Sequence, residues 1–110
     1  MKWEITYYSE KVQQDVLSFP AGIQARYIHL TSIMRAHGPD IGEPHTKALG
    51  QGLFELRMKA KEGIGRAFYC TYRAERNKIM ILNVFVKKTQ KTPKNEIEKA
   101  RKRKKEITGK

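Results

Sequence analysis

Residues 52–100 read GLFELRMKAKEGIGRAFYCTYRAERNKIMILNVFVKKTQKTPKNEIEKA, and the periodicity of this stretch decides the fold. Three apolar segments, 53–59, 65–73 and 79–86, are strand-like, and the connections at 60–64 and 74–78 are short, which predicts an antiparallel meander. In the first segment Phe54, Leu56 and Met58 point one way and Glu55, Arg57 and Lys59 the other. In the last, Met80, Leu82, Val84 and Val86 form a uniformly apolar set, which leaves Asn83, Phe85 and Lys87 for the opposite face. The middle segment carries aromatics on both faces. Arg66 is assigned beside Arg57, although this removes some bulk from the core. Cationic side chains on neighbouring strands can then converge on a phosphate, which a solvated lysine tail does not achieve.

Outward from this stretch, Trp3, Ile5 and Tyr7 alternate with polar residues and predict an opening strand. Ser9 suits a helix N-cap, followed by Val12, Val16 and Phe19 as an apolar face. Pro20 breaks that helix and opens a second one, where Ile23, Tyr27, Leu30 and Met34 recur at offsets of 4, 3 and 4 residues. Gly38-Pro39 ends it. The two helices form an αα-hairpin, and residues 40–52 read as loop. After the meander, Thr92-Pro93 predicts the start of a third, basic helix over about 93–107, with Thr92 as its N-cap and Ile97 and Ala100 on its packed side. The expected architecture is a single α+β domain over residues 1–110. A strand and an αα-hairpin pack on a four-stranded, mainly antiparallel sheet whose other face stays partly open.

Composition narrows the function. The net charge is +12, with 39% hydrophobic residues and 9% aromatics, so the chain can bury a core and still carry a strong positive field. The charge is uneven: 12 basic and 8 acidic residues precede Lys87, against 11 and 3 from Lys87 onward. Such a field favours polyanions, nucleic acid foremost. No apolar run approaches the ~20 residues that span a bilayer, and MKWEITYYSE lacks the apolar stretch of a signal peptide. No membrane is therefore expected. One cysteine, Cys70, within an apolar strand fits a buried hydrophobe in a reducing cytoplasm. His29, His37 and His45 lie eight residues apart and show no metal-ligand spacing.

The order LFELR, then GRAFY after a glycine-containing turn, then NVFVKKTQKTP leading into a helix resembles the RelE/HigB superfamily of toxin–antitoxin toxins, and more narrowly its phage-derived HigB-like branch. The resemblance covers the C-terminal two-thirds of the chain, and FVKKTQKTP is its most specific part. It implies a ribosome-dependent endoribonuclease that cuts messenger RNA without a metal or small-molecule cofactor. In that chemistry the RNA 2′-hydroxyl attacks the adjacent phosphorus and leaves a 2′,3′-cyclic phosphate. It also implies a helix-turn-helix antitoxin as partner. Arg57 and Arg66 match the strand residues that bind the scissile phosphate, and Lys87 or Lys88 the basic residue ending the last strand. Further RNA contacts are expected from Lys59, Arg73, Lys91, Lys94, Arg101 and Arg103. Two positions depart from the pattern. Glu55 stands where RelE has a lysine, and Lys94 falls near its C-terminal catalytic tyrosine. Glu55, Lys87, Tyr69 and His45 remain open as general base. Two other readings fit the same residues: a non-catalytic protein docking on nucleic acid or the ribosome through its basic helix, and a ParE-like gyrase inhibitor.

Overall fold

The computed structural model describes residues 2–73, 77–87 and 93–109, without the side chain of Arg73. The elements are β1 (Glu4–Tyr7), α1 (Glu10–Leu17), α2 (Ala21–His37), β2 (Thr46–Gly50), β3 (Leu53–Ala60), β4 (Gly63–Arg73), β5 (Asn77–Lys87) and α3 (Lys94–Thr108). They form one five-stranded sheet in the order β1-β5-β4-β3-β2. Strands β2 to β5 pair antiparallel with one another, and β1 closes the far edge parallel to β5.

The hairpin forms where its punctuation predicts. Ser9 accepts from the Val12 amide at 3.3 Å, and Gly38, with φ +110°, donates to Met34 O at 2.8 Å. Val12, Val16, Ile23, Tyr27, Leu30 and Met34 pack with Leu56, Met58, Ala67, Tyr69, Ile79 and Ile81 into the larger core. Gly65 permits the close approach of α2, because a Cβ there would stand 2.4 Å from Ile23 Cγ2.

The sheet has five strands rather than four. β2 lies in the stretch read as loop: TKALG has no alternating apolar set, and its pairing is with β3. Thr46 holds the approach to it. Its hydroxyl accepts from the amides of Ile41 and Gly42 and donates to Asp40 at 3.0 Å.

Strict alternation also fails on β5. Phe68 pairs with Asn83 but Tyr69 with Ile81, so Leu82 is an extra residue at a β-bulge. Asn83 and Phe85 reach the face expected of them, whereas Met80 and Leu82 join that face too, and Val84 packs on the hairpin side. The second face is accordingly only partly open: α3 covers one end, and Arg57, Lys59 and Lys87 lie at the uncovered end. Leu53, Phe68, Cys70, Met80 and Leu82 make a smaller core there under Ala100 and Ile97 of α3.

α3 is clamped by its own cations. Arg101 donates to Leu49 O at 2.9 Å and Gly50 O at 3.3 Å. Arg103 donates to Leu82 O, at the bulge, at 2.6 Å and lies 4.6 Å from the ring centroid of Tyr8, whose hydroxyl donates to Glu106 at 2.8 Å. Thr92, expected as its N-cap, lies outside the described residues; Pro93 occupies that position. A guanidinium bond to a half-buried carbonyl contributes about 1.5–3 kcal/mol. Arg103→Ala is therefore expected to lower the urea midpoint by an equivalent amount. An unchanged midpoint would show that α3 is not held there.

Candidate active site

On the α3 face, pairing across β3, β4 and β5 builds three rows: Glu55–Phe68–Asn83, Arg57–Arg66–Phe85 and Lys59–Ile64–Lys87. The middle row sets two arginines directly opposite each other, an arrangement that like charges disfavour. Glu55 resolves it. Its Oε2 accepts from Arg66 Nη1 at 2.6 Å and its Oε1 from Arg57 Nε at 3.0 Å. Glu55 and Arg66 are fully buried, while the Arg57 side chain keeps 27% of its surface exposed. Arg57 therefore presents its terminal amino groups outward, oriented by a carboxylate behind them. Among the described residues, nothing accepts from those groups.

Lys59 and Lys87 flank this pair as exposed residues on either side of Ile64. With strands about 4.8 Å apart, their backbones stand roughly 10 Å from each other. Asn83 is buried, and its amide donates to Glu96 O at 3.2 Å and Glu96 Oε1 at 3.0 Å. This ties the first turn of α3, with exposed Lys94, to the end of the Glu55 row.

Other expected site residues are placed differently. Arg73 ends β4 opposite Asn77, seven residues or about 23 Å along the strand from Arg66, so the strand does not bring it to this cluster. Arg101 and Arg103 are engaged with the carbonyls that hold α3. Lys88 and Lys91 lie outside the described residues. Tyr69 belongs to the hairpin-side core, on the opposite face from Arg66, and its hydroxyl donates to Pro39 O. Burial raises its pKa far above the ordinary tyrosine range, with nearby Asp40 adding to the effect, and its place on the hairpin side separates it from the arginine row. Burial likewise pushes the Cys70 thiol up, so it is an inert core residue.

His45 does reach the site from its loop. Its carbonyl accepts from the Arg57 amide at 2.8 Å, extending the β2–β3 ladder by one residue. With Arg57, Lys59, Pro44 and Ile64 it lines a pocket of about 230 Å³, and the sixth lining residue is Arg26 of α2. Nothing in the sequence singled out Arg26. It flanks the buried stripe of α2, where an arginine ordinarily extends to solvent. Among the described residues no group of three or more His, Cys, Asp or Glu side chains could hold a metal ion. No described helix is long and apolar enough to cross a membrane.

The hairpin on one face of a mixed sheet, with a C-terminal helix on the other, is a RelE-like fold. It superposes on a double arginine-to-alanine mutant of the E. coli toxin RelE in its free state with a TM-score of 0.66 at 11% identity, covering 94% of this chain and 98% of that one. The RelE of an archaeal RelE-RelB complex from Pyrococcus horikoshii OT3 is similar with a TM-score of 0.59 at 18% identity, over 78% and 96% of the two chains. More narrowly, the chain belongs to the family described as Phage derived protein Gp49-like (DUF891), whose profile matches residues 14–105. No curated protein sequence matches it.

Proposed function

We propose that this chain is the toxin of a type II toxin–antitoxin system and a metal-independent, ribosome-dependent endoribonuclease acting on messenger RNA in the cytoplasm. The observation that carries this reading is Arg57, half-exposed and oriented by a buried carboxylate within a row of cations. Cyclisation of RNA by its own 2′-hydroxyl places extra negative charge on the non-bridging phosphate oxygens. The free amino groups of Arg57 can meet that charge without reorganising, which is where preorganised donors are most effective. Lys59 and Lys87 add positive field on either side. Glu55 and Arg66, both buried, act through Arg57 as positioning residues. Proton transfer then falls to groups nearer the surface, His45 or Lys87. Lys94 is placed to contact RNA at the rim, and Lys88 and Lys91 join it in this reading. The archaeal relative is described in a complex with RelB, and a cognate antitoxin, of helix-turn-helix type, is the expected partner here.

The fold alone leaves a gyrase inhibitor or a non-catalytic ribosome-binding protein as alternatives. Induced expression in a bacterial host, followed by primer extension on a reporter messenger RNA, separates them. Codon-phased cuts that vanish when translation is blocked are the expected result. Growth arrest without cuts, together with inhibited supercoiling of a plasmid by gyrase, would overturn the nuclease reading.

A further inference from the structure

β2 begins at Thr46, opposite Leu56, so beyond the His45–Arg57 bond the outer edge of β3 has no described strand partner. The 230 Å³ pocket opens at this edge. Two cations of β3, Arg57 and Lys59, enter it from the sheet; Arg26 enters from α2 and His45 from the loop, and among the described residues no carboxylate lines it. Arg26 supplies the second observation. Its Nε is buried, and among the described residues it has no hydrogen-bond acceptor. An unmet buried donor is costly, and because Nε exposes almost no surface, an acceptor in the pocket meets it only when the guanidinium turns toward that acceptor. The volume is below the usual 300–1,000 Å³ of sites for drug-sized ligands, and it suits one compact oxyanion better than a stacked base.

We propose that this pocket binds a phosphate group, with Arg26, Lys59 and His45 as its contacts. On the nuclease reading, on which this part rests, the occupant is the RNA backbone phosphate next to the scissile one. Arg57 joins the two places. Its Nε is turned to Glu55, and its outer groups face the pocket mouth one row from Lys59. Two residues along a strand advance about 6.6 Å, a step comparable with one nucleotide of extended RNA. A second held phosphate would fix the register of the strand over Arg57 without contacting the reacting atoms.

The test has two arms. In the first, the free protein is titrated with inorganic phosphate at constant ionic strength, and the Arg26 Nε–Hε and His45 ring signals are followed by NMR. A saturable shift of both is expected. In Arg26→Met, which keeps the aliphatic packing, the His45 shift should lose its saturation. Signals that stay unmoved overturn the pocket. In the second arm, cleavage of ribosome-bound messenger RNA is measured. Arg26→Met should raise KM severalfold with kcat unchanged, the mark of binding common to ground and transition state. A methylphosphonate beside the scissile phosphate should raise the wild-type KM at least as far as Arg26→Met does, and should raise the KM of that variant by a smaller factor, since Lys59 and His45 still contact the phosphate there. Cleavage with an unchanged KM in Arg26→Met would overturn the RNA assignment while the nuclease reading stands. Saturable phosphate binding without any cleavage would support the pocket and overturn both the RNA assignment and the nuclease reading.

Discussion

Arg57→Ala is expected to abolish cleavage, by 10²–10³-fold or more, and to leave the protein folded. The first figure is about the loss seen when one preorganised transition-state donor is removed from an active site. The second follows from burial. The arginine is partly exposed, and Glu55 keeps its shorter bond, 2.6 Å to Arg66, when Arg57 is gone. The loss of one charge-assisted hydrogen bond at the edge of the cluster destabilises by about 1–2 kcal/mol. Arg57→Lys should recover little activity, since a lysine cannot hold Glu55 through one nitrogen and present two more in a fixed plane. The measurement is single-turnover cleavage on programmed ribosomes beside a urea titration. Near-native cleavage by a folded Arg57→Ala protein would remove the central residue from the proposed site.

Arg66→Ala should act in the opposite sense, on the fold before the chemistry. Arg66 is the largest fully buried side chain and sits in the middle strand of the sheet. Truncating one partner of a buried ion pair costs about 3–5 kcal/mol, because the other charge stays behind in the interior. Against a total of about 5–15 kcal/mol for a domain, that is a large share. The single variant therefore cannot report on catalysis alone. A double replacement, Glu55→Leu with Arg66→Met, removes both charges at similar volume and is expected to regain most of the lost stability. Because Arg57 then loses its brace, the double variant should fold and still cut poorly. If Arg66→Ala unfolds within 1 kcal/mol of the wild type, the buried pair does not organise the sheet as described.

The two expectations separate roles that sequence reading had joined. Arg57 and Arg66 are both strand arginines of one motif set, and both read as phosphate ligands. The structure makes one of them outward-facing and the other internal. The difference arises from their strands: β3 has only β2 outside it, while β4 lies between β3 and β5 under α3. Position in the sheet is a tertiary property, and no local spacing encodes it.

Much of the frame was nonetheless legible. Alternation on β3 placed Leu56 and Met58 toward the hairpin and Glu55, Arg57 and Lys59 away from it, because side chains of a strand must point to alternate faces. Ser9 and Gly38 announced helix ends because amides and carbonyls at a helix terminus need partners or a left-handed turn. The middle strand was ambiguous for a physical reason. With Tyr69 in one core and Phe68 in the other, β4 is apolar on both faces since the sheet is covered on both.

What only the tertiary structure decided concerns groups whose meaning depends on a distant partner. β2 exists as an edge strand because β3 offers it a ladder, not because TKALG favours one. The bulge at Leu82 turns Met80 and Leu82 to the α3 side, and a one-residue slip of this kind leaves no mark in a uniformly apolar run. Arg101 and Arg103 read from the sequence as solvent-facing cations, and only the fold bends them onto the carbonyls of Leu49 and Leu82, because both placements have the same local sequence. Arg26 joined the site only when α2 crossed beneath the free edge of β3. The sequence by itself thus determined which residues share a face and where helices begin and end, since period and capping act within a few residues. Which charges are buried, braced or left facing outward depended on the packing of elements far apart in the chain.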